Sequence, residues 1–131
     1  MSLSEKHDAT VKLVSNIFQE AGYRVEFNRP IGPSNRRQYV DIVALGPKDA
    51  LIIEVKAGMK TGSSDVMAME SFVRTAMTSS QLGGKKVEGI IISQGTLDPA
   101  RILSKEWGIQ VIEGDTPQKI KQSLQQFLEK R

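Results

Sequence analysis

Asp41, Glu54 and Lys56 place three charges inside what otherwise read as buried strands. They fall within residues 39–58, YVDIVALGPKDALIIEVKAG, where apolar runs at 40–45 and 51–57 flank the turn-forming Gly46-Pro47-Lys48-Asp49. That pattern is a β-hairpin. With Pro47 and Lys48 at its tip, Val43 faces Ile52 and Asp41 faces Glu54. Opposed side chains share one face of a sheet, and Lys56 joins them because strand side chains repeat every two residues. Two carboxylates side by side repel unless a cation lies between them, and the simplest is a divalent metal bound through oxygen. A lysine beside it suits an attacking water, or the negative charge that builds on phosphorus. Glu-x-Lys alone is the ordinary polar end of an amphipathic strand. Asp41, in register on the neighbouring strand, is what favours a site.

The elements that must position these residues follow in order. A helix is expected over 4–21, with Ser4 as N-cap and Gly22 just beyond its end. Its apolar stripe collects Val11, Val14, Ile17, Phe18 and Ala21, with His7 one turn earlier on the same stripe. Asp8 lies on the margin of that face and can reach round to the sheet, whereas Glu5 points away; acids in a first turn are also favoured by the helix dipole alone. Residues 23–27 read as a short strand, and 28–38, NRPIGPSNRRQ, as a loop or extended hairpin tip. Arg36 and Arg37 stand at its base, and arginine forks suit phosphate oxygens. After Lys56 come a flexible connection over 58–64, a helix over 64–81, a buried strand over 87–93, a helix begun by Asp98-Pro99 and closed by Gly108, a short strand at 109–112, and a helix begun by Thr116-Pro117.

The order is helix, three strands, helix, strand, helix, strand, helix: an α/β chain with a mixed sheet covered by helices on both faces. Its 131 residues suffice for one domain, 1–131. With no cysteine, disulfides and thiolate metal sites are excluded. No apolar run is long enough to span a bilayer and the N-terminus lacks a signal-peptide core, so the cytoplasm is the expected location. The net charge is +3, and between Arg24 and Lys60 seven bases stand against four acids, which accounts for that whole excess. A polyanionic partner fits such a setting.

Asp41 followed after twelve residues by Glu54-Val55-Lys56, with an acid-bearing helix before and a helix after, resembles the PD-(D/E)XK nuclease superfamily. VDIVALG and LIIEVKAG look most similar to archaeal Holliday-junction resolvases and to small nuclease-like domains of archaea and their viruses. The resemblance implies a restriction-endonuclease-like three-layer α/β/α fold. It makes Asp41, Glu54 and the Val55 carbonyl ligands of Mg2+ or Mn2+, and Lys56 the catalytic lysine. Asp8 becomes the helix-one acid, with Glu5 in reserve, and Gln81 a weak further candidate. Arg29, Arg36, Arg37 and Lys60 become contacts to DNA phosphates. The implied activity is metal-dependent endonucleolytic hydrolysis of phosphodiester bonds in DNA, with junction or branched structures as candidate substrates, by a homodimer because paired cuts need two sites. The chain departs from the family pattern in two places: its helix-one acid is further from Gly22-Tyr23 than is usual, and Val40 replaces the proline before Asp41. The displaced acid motivates an alternative, a nuclease-like domain that binds nucleic acid or a protein without cutting.

Overall fold

The computed structural model describes residues 2–32, 38–78, 82 and 84–131. Helix α1, Leu3–Glu20, is capped by Ser2 and not by Ser4. Ser2 Oγ accepts from the Glu5 amide at 3.1 Å, and the Glu5 carboxylate faces the Ser2 amide in return. The reciprocal cap needs an acid three residues on, which Ser2 has and Ser4, followed by His7, lacks. Gly22, in the left-handed region at φ 95°, then turns the chain towards the sheet.

Strand β1, Arg24–Ile31, and strand β2, Gln38–Leu45, pair antiparallel with Arg29 opposite Val40 and Ile31 opposite Gln38. β1 is thus longer than residues 23–27. Pro30 does not end it, because β1 is an edge strand where a missing amide hydrogen costs no ladder bond. Strand β3, Asp49–Thr61, pairs antiparallel with β2 in the expected register, Val43 opposite Ile52. It continues past Ala57 through much of the expected connection, with an irregularity against its next neighbour between Lys56 and Lys60.

Helix α2, Ser63–Met77, strand β4, Lys86–Thr96, helix α3, Asp98–Trp107, strand β5, Gln110–Glu113, and helix α4, Pro117–Glu129, complete the chain. Leu97 rather than Asp98 holds the N-cap position of α3, which moves Pro99 to the second residue of the helix. The sheet runs β1-β2-β3-β4-β5, antiparallel through β3 and parallel from β3 to β5.

The run Ile90-Ile91-Ile92 explains how the sheet is covered on both sides. Ile90 and Ile92 join Val14 and Phe18 of α1 and Leu124 of α4, while Ile91 joins Val66 and Met69 of α2 and Ala100 of α3. α2 lies so close to β4 that a Cβ on Gly89 would stand 2.7 Å from Met69 Cγ. Among the described residues no helix is long and apolar enough to cross a membrane.

Candidate active site

The paired strands β2 and β3 run together as far as Ile42 opposite Ile53. One step further the same register sets Asp41 opposite Glu54, and there the side chains take over the cross-strand bonds. The Asp41 amide donates to Glu54 Oε1 at 3.0 Å, and the Val55 amide donates to Asp41 Oδ2 at 2.9 Å. The two carboxylates are therefore stapled across the strand gap. Asp41 Oδ1 and Glu54 Oε2 make no hydrogen bond to any described residue.

His7, from α1, completes this arrangement. Its Nε2 lies 3.2 Å from Asp41 Oδ2, and its Nδ1 faces Asp8 Oδ1 at 3.6 Å. Asp8 is 81% exposed and reaches the cluster only through His7, and Glu5 is engaged in the helix cap. Neighbouring helix residues differ by about 100° in direction, so only one of residues 7 and 8 can face the sheet squarely. His7 lies on the apolar stripe, and that placement was the available signal.

Lys56 extends from β3 to the start of α2, where Nζ pairs with Asp65 Oδ1 at 3.0 Å. The other oxygen of Asp65 accepts from the Gly62 amide at 2.8 Å. Glu54, Lys56 and Asp65 share a small cleft of about 80 Å³ floored by Met69, Phe72 and Ile91.

The electrostatics mark Glu54 as the strained member. Burial, reinforced by the charge of Asp41, pushes its carboxyl up to about 7. The Asp41 amide and His7 pull in the other direction without cancelling the shift. Burial works to lower the His7 pKa, but the Asp41 and Asp8 carboxylates outweigh it and leave it raised. At the other end of the sheet, by contrast, Asp49 and Glu88 are matched by Arg131, which stacks on Phe127, so those acids form a structural ion network.

The donor set suits a hard divalent cation. Asp41 Oδ1 and Glu54 Oε2 are carboxyl oxygens that accept no hydrogen bond from a described donor, the Val55 carbonyl lies beside them in sequence, and a carboxyl raised by burial and by the charge of its neighbour is one that a cation would help to ionise. Among the described residues, however, no group of three His, Asp or Glu side chains is disposed to hold a metal ion. Magnesium, which often takes one or two carboxylates and completes its shell with water and substrate oxygens, needs no more protein ligands than these.

Of the expected phosphate contacts, Lys60 is exposed and forms no ion pair among the described residues, whereas the Arg29 guanidinium is largely covered and bonded to Glu26 at 2.8 Å. Arg36, Arg37 and Gln81 lie outside the described residues.

No family model and no curated protein sequence matches the chain. Solved structures do. A repair endonuclease from Pyrococcus abyssi is similar over 86% of this chain and 47% of its own, with 20% identity and a TM-score of 0.64. EndoMS in a complex with double-stranded DNA is similar over 85% of this chain and 44% of its own, with 19% identity and a TM-score of 0.64. Can2 from Sulfobacillus thermosulfidooxidans, bound to cyclic tetra-adenylate, is similar over 94% of this chain and 33% of its own, with 17% identity and a TM-score of 0.66. This chain spans about half of those proteins or less. With the mixed sheet, the four helices of the described residues and the strand order, these likenesses give the chain the restriction-endonuclease-like fold.

Proposed function

We propose that this chain is a Mg2+- or Mn2+-dependent endonuclease that hydrolyses phosphodiester bonds in DNA, with branched structures among its substrates. The observation that carries the reading is the stapled pair Asp41 and Glu54, each with one unbonded oxygen, beside Lys56. Asp41, Glu54 and the Val55 carbonyl would hold the metal, which when bound withdraws charge from the phosphoryl group. Lys56, oriented by Asp65, meets the charge that builds on a non-bridging phosphate oxygen. His7 holds Asp41 in position and balances part of its charge. In the hydrolysis the oxygen of water bonds to phosphorus and the bond from phosphorus to one sugar oxygen breaks. That sugar oxygen takes up a proton, and water loses one.

Supercoiled, linear and branched DNA incubated with each metal tests the proposal. Cutting that depends on metal and is lost in both Asp41→Asn and Lys56→Ala is the expected result; no cutting, or equal cutting by the variants, refutes it. Paired incisions at a junction would need two copies of the site, so light scattering at working concentration should give twice the mass of one chain.

A second reading, binding without cutting, is favoured by one observation: no third acidic side chain joins Asp41 and Glu54 among the described residues. Calorimetric titration with Mn2+ separates the two, since a site that takes no metal at millimolar concentration leaves only the binding role.

A further inference from the structure

A second cluster of polar groups lies at the carboxyl end of the parallel strands. Strands β3, β4 and β5 run parallel, and ligands of open α/β sheets bind outside the carboxyl ends of such strands. Glu54 lies at the middle of β3, and Lys56 and Lys60 follow it towards that end. Two strands away, about 10 Å at ordinary strand spacing, a cleft of about 350 Å³ opens between α3 and β5. Arg101 and Lys105, one helical turn apart, stand over it with Ser104, and Thr96, Gln110 and Glu113 line the strand side.

Three features point to an anionic ligand. Lys105 is exposed and forms no ion pair among the described residues. Arg101 is held loosely: one guanidinium nitrogen shares contacts of 3.5 Å to the Thr96 carbonyl and 3.4 Å to Glu113 Oε2, which leaves most of its five donors uncommitted. Thr96 Oγ1 is the buried side-chain polar atom left without a hydrogen-bond partner among the described residues, a deficit usually made good by water or a ligand. Two bases against the single carboxylate of Glu113, with hydroxyl and amide donors around them, suit a phosphate rather than a cation or an apolar group.

The cleft is also joined to the candidate active site. Lys60 on β3 is in register with Gly95 on β4, and a methyl group on Gly95 would stand 3.9 Å from both Lys60 Cγ and Glu113 Oε2. Lys60, on β3, and Arg101 and Lys105, on α3, thus flank the end of β4. Gly95 leaves the interval between them without a side chain.

We propose that this cleft binds a second, uncut phosphate of the nucleic-acid strand whose scissile phosphate lies at Asp41 and Glu54; the assignment rests on the nuclease reading. Arg101 and Lys105 take the phosphate oxygens, Lys60 spans the interval, and the strand is drawn over β4. Contacts of this kind fix the register of the strand without reading its bases.

The test is equilibrium binding of a labelled 20-mer duplex and its single strand to the full chain in EDTA, where no metal-dependent cutting takes place, over a series of salt concentrations. Arg101→Gln, Lys105→Ala and the double variant are compared with the parent protein, after thermal melting has shown them folded. Lys105 is exposed on the last turn of α3, so its variant keeps the test alive if Arg101→Gln unfolds. Each single change should weaken binding several-fold. The double change should lower the slope of log K against log salt by about one for duplex, since one phosphate contact is lost. Unchanged affinity and slope in the double variant overturn the proposal; if the parent protein still cuts DNA, the nuclease reading survives that result. A parent protein that neither binds nor cuts refutes both. In a parallel arm, inorganic phosphate or adenosine monophosphate that binds tightly and needs Arg101, while duplex and single-strand binding do not, would make the cleft a free-nucleotide site and overturn the strand assignment.

Discussion

Lys56 Nζ lies 3.0 Å from Asp65 Oδ1, and Asp65 uses its other oxygen to cap the Gly62 amide at the start of α2. One side chain thus fixes both the beginning of a helix and the direction of the lysine beside the carboxylate pair. The two duties can be separated. Asp65→Asn keeps a carbonyl oxygen for the cap but loses the negative partner of Lys56; Asp65→Ala loses both. The alanine variant should be about 1 kcal/mol less stable in chemical denaturation and the asparagine variant less affected. Both should cut DNA ~10–100-fold more slowly under the proposed function, the scale expected for a displaced catalytic group.

Glu54 gives a pH dependence whose sign follows from its position. Its carboxyl ionises near 7 in the folded protein instead of 4.5, so the folded state holds the proton more tightly than the unfolded chain. Its burial costs nothing below the unfolded value. Stability is then lost as pH rises from about 4.5 to about 7, and stays lower above that. Glu54→Gln should remove this slope. Urea titrations should find it more stable than the parent protein at pH 8, by on the order of 2 kcal/mol after allowance for partial exposure, and nearly equal to it at pH 4.

The same carboxyl makes cation binding a proton-coupled event. A bound Mn2+ or Mg2+ requires Glu54 ionised, so affinity should climb between pH 6 and pH 8, and binding near neutrality should release a fraction of a proton. Calorimetry in two buffers of different ionisation heat measures the release. At 100 times its dissociation constant the ion should add about 2.7 kcal/mol of stability. Asp41→Asn should lose this stabilisation.

His7 and Asp8 are neighbours with different expected weights. His7→Ala removes the group at 3.2 Å from Asp41 and should slow cutting by at least tenfold, whereas Asp8→Asn, at an 81% exposed position, should change stability by no more than about 0.5 kcal/mol and the rate by no more than about threefold. A larger loss from Asp8→Asn than from His7→Ala would show that Asp8, not His7, carries the helix-one role.

Packing supplies a test independent of function. Gly89→Ala places a methyl group against Met69 and Val73 of α2, and should cost about 1–3 kcal/mol in thermal melting.

The pairing of β2 and β3 was legible because a tight turn and a period of two leave one register that buries both apolar runs. The element order was legible for a similar reason: each apolar run is bounded by glycine, proline or a capping residue. The helix-one contribution was not, because choosing between His7 and Asp8 requires the rotation of α1 about its axis, which its apolar stripe gives only to within a residue. Asp65 was hidden by its ordinary place in a first helical turn, where any acid is favoured. Arg101 and Lys105 stand far along the chain from the carboxylates, and only the parallel alignment of β3, β4 and β5 brings them to the end of the sheet that Lys60 reaches. Arg29 also bonds a glutamate three residues away, a pairing that its charge alone does not reveal.

Because the amide hydrogens of Asp41 and Val55 are held by the very carboxylates that would receive a cation, the sheet carries its own gauge of the site. Anything that draws those oxygens away must alter the two amides first, in their chemical shifts and in the rate at which they exchange with deuterium, before a single bond of DNA is cut. An inactive variant used as a control should therefore be an isostere such as asparagine, since alanine at residue 41 would also unfasten the end of the ladder and confuse a lost ligand with a frayed strand.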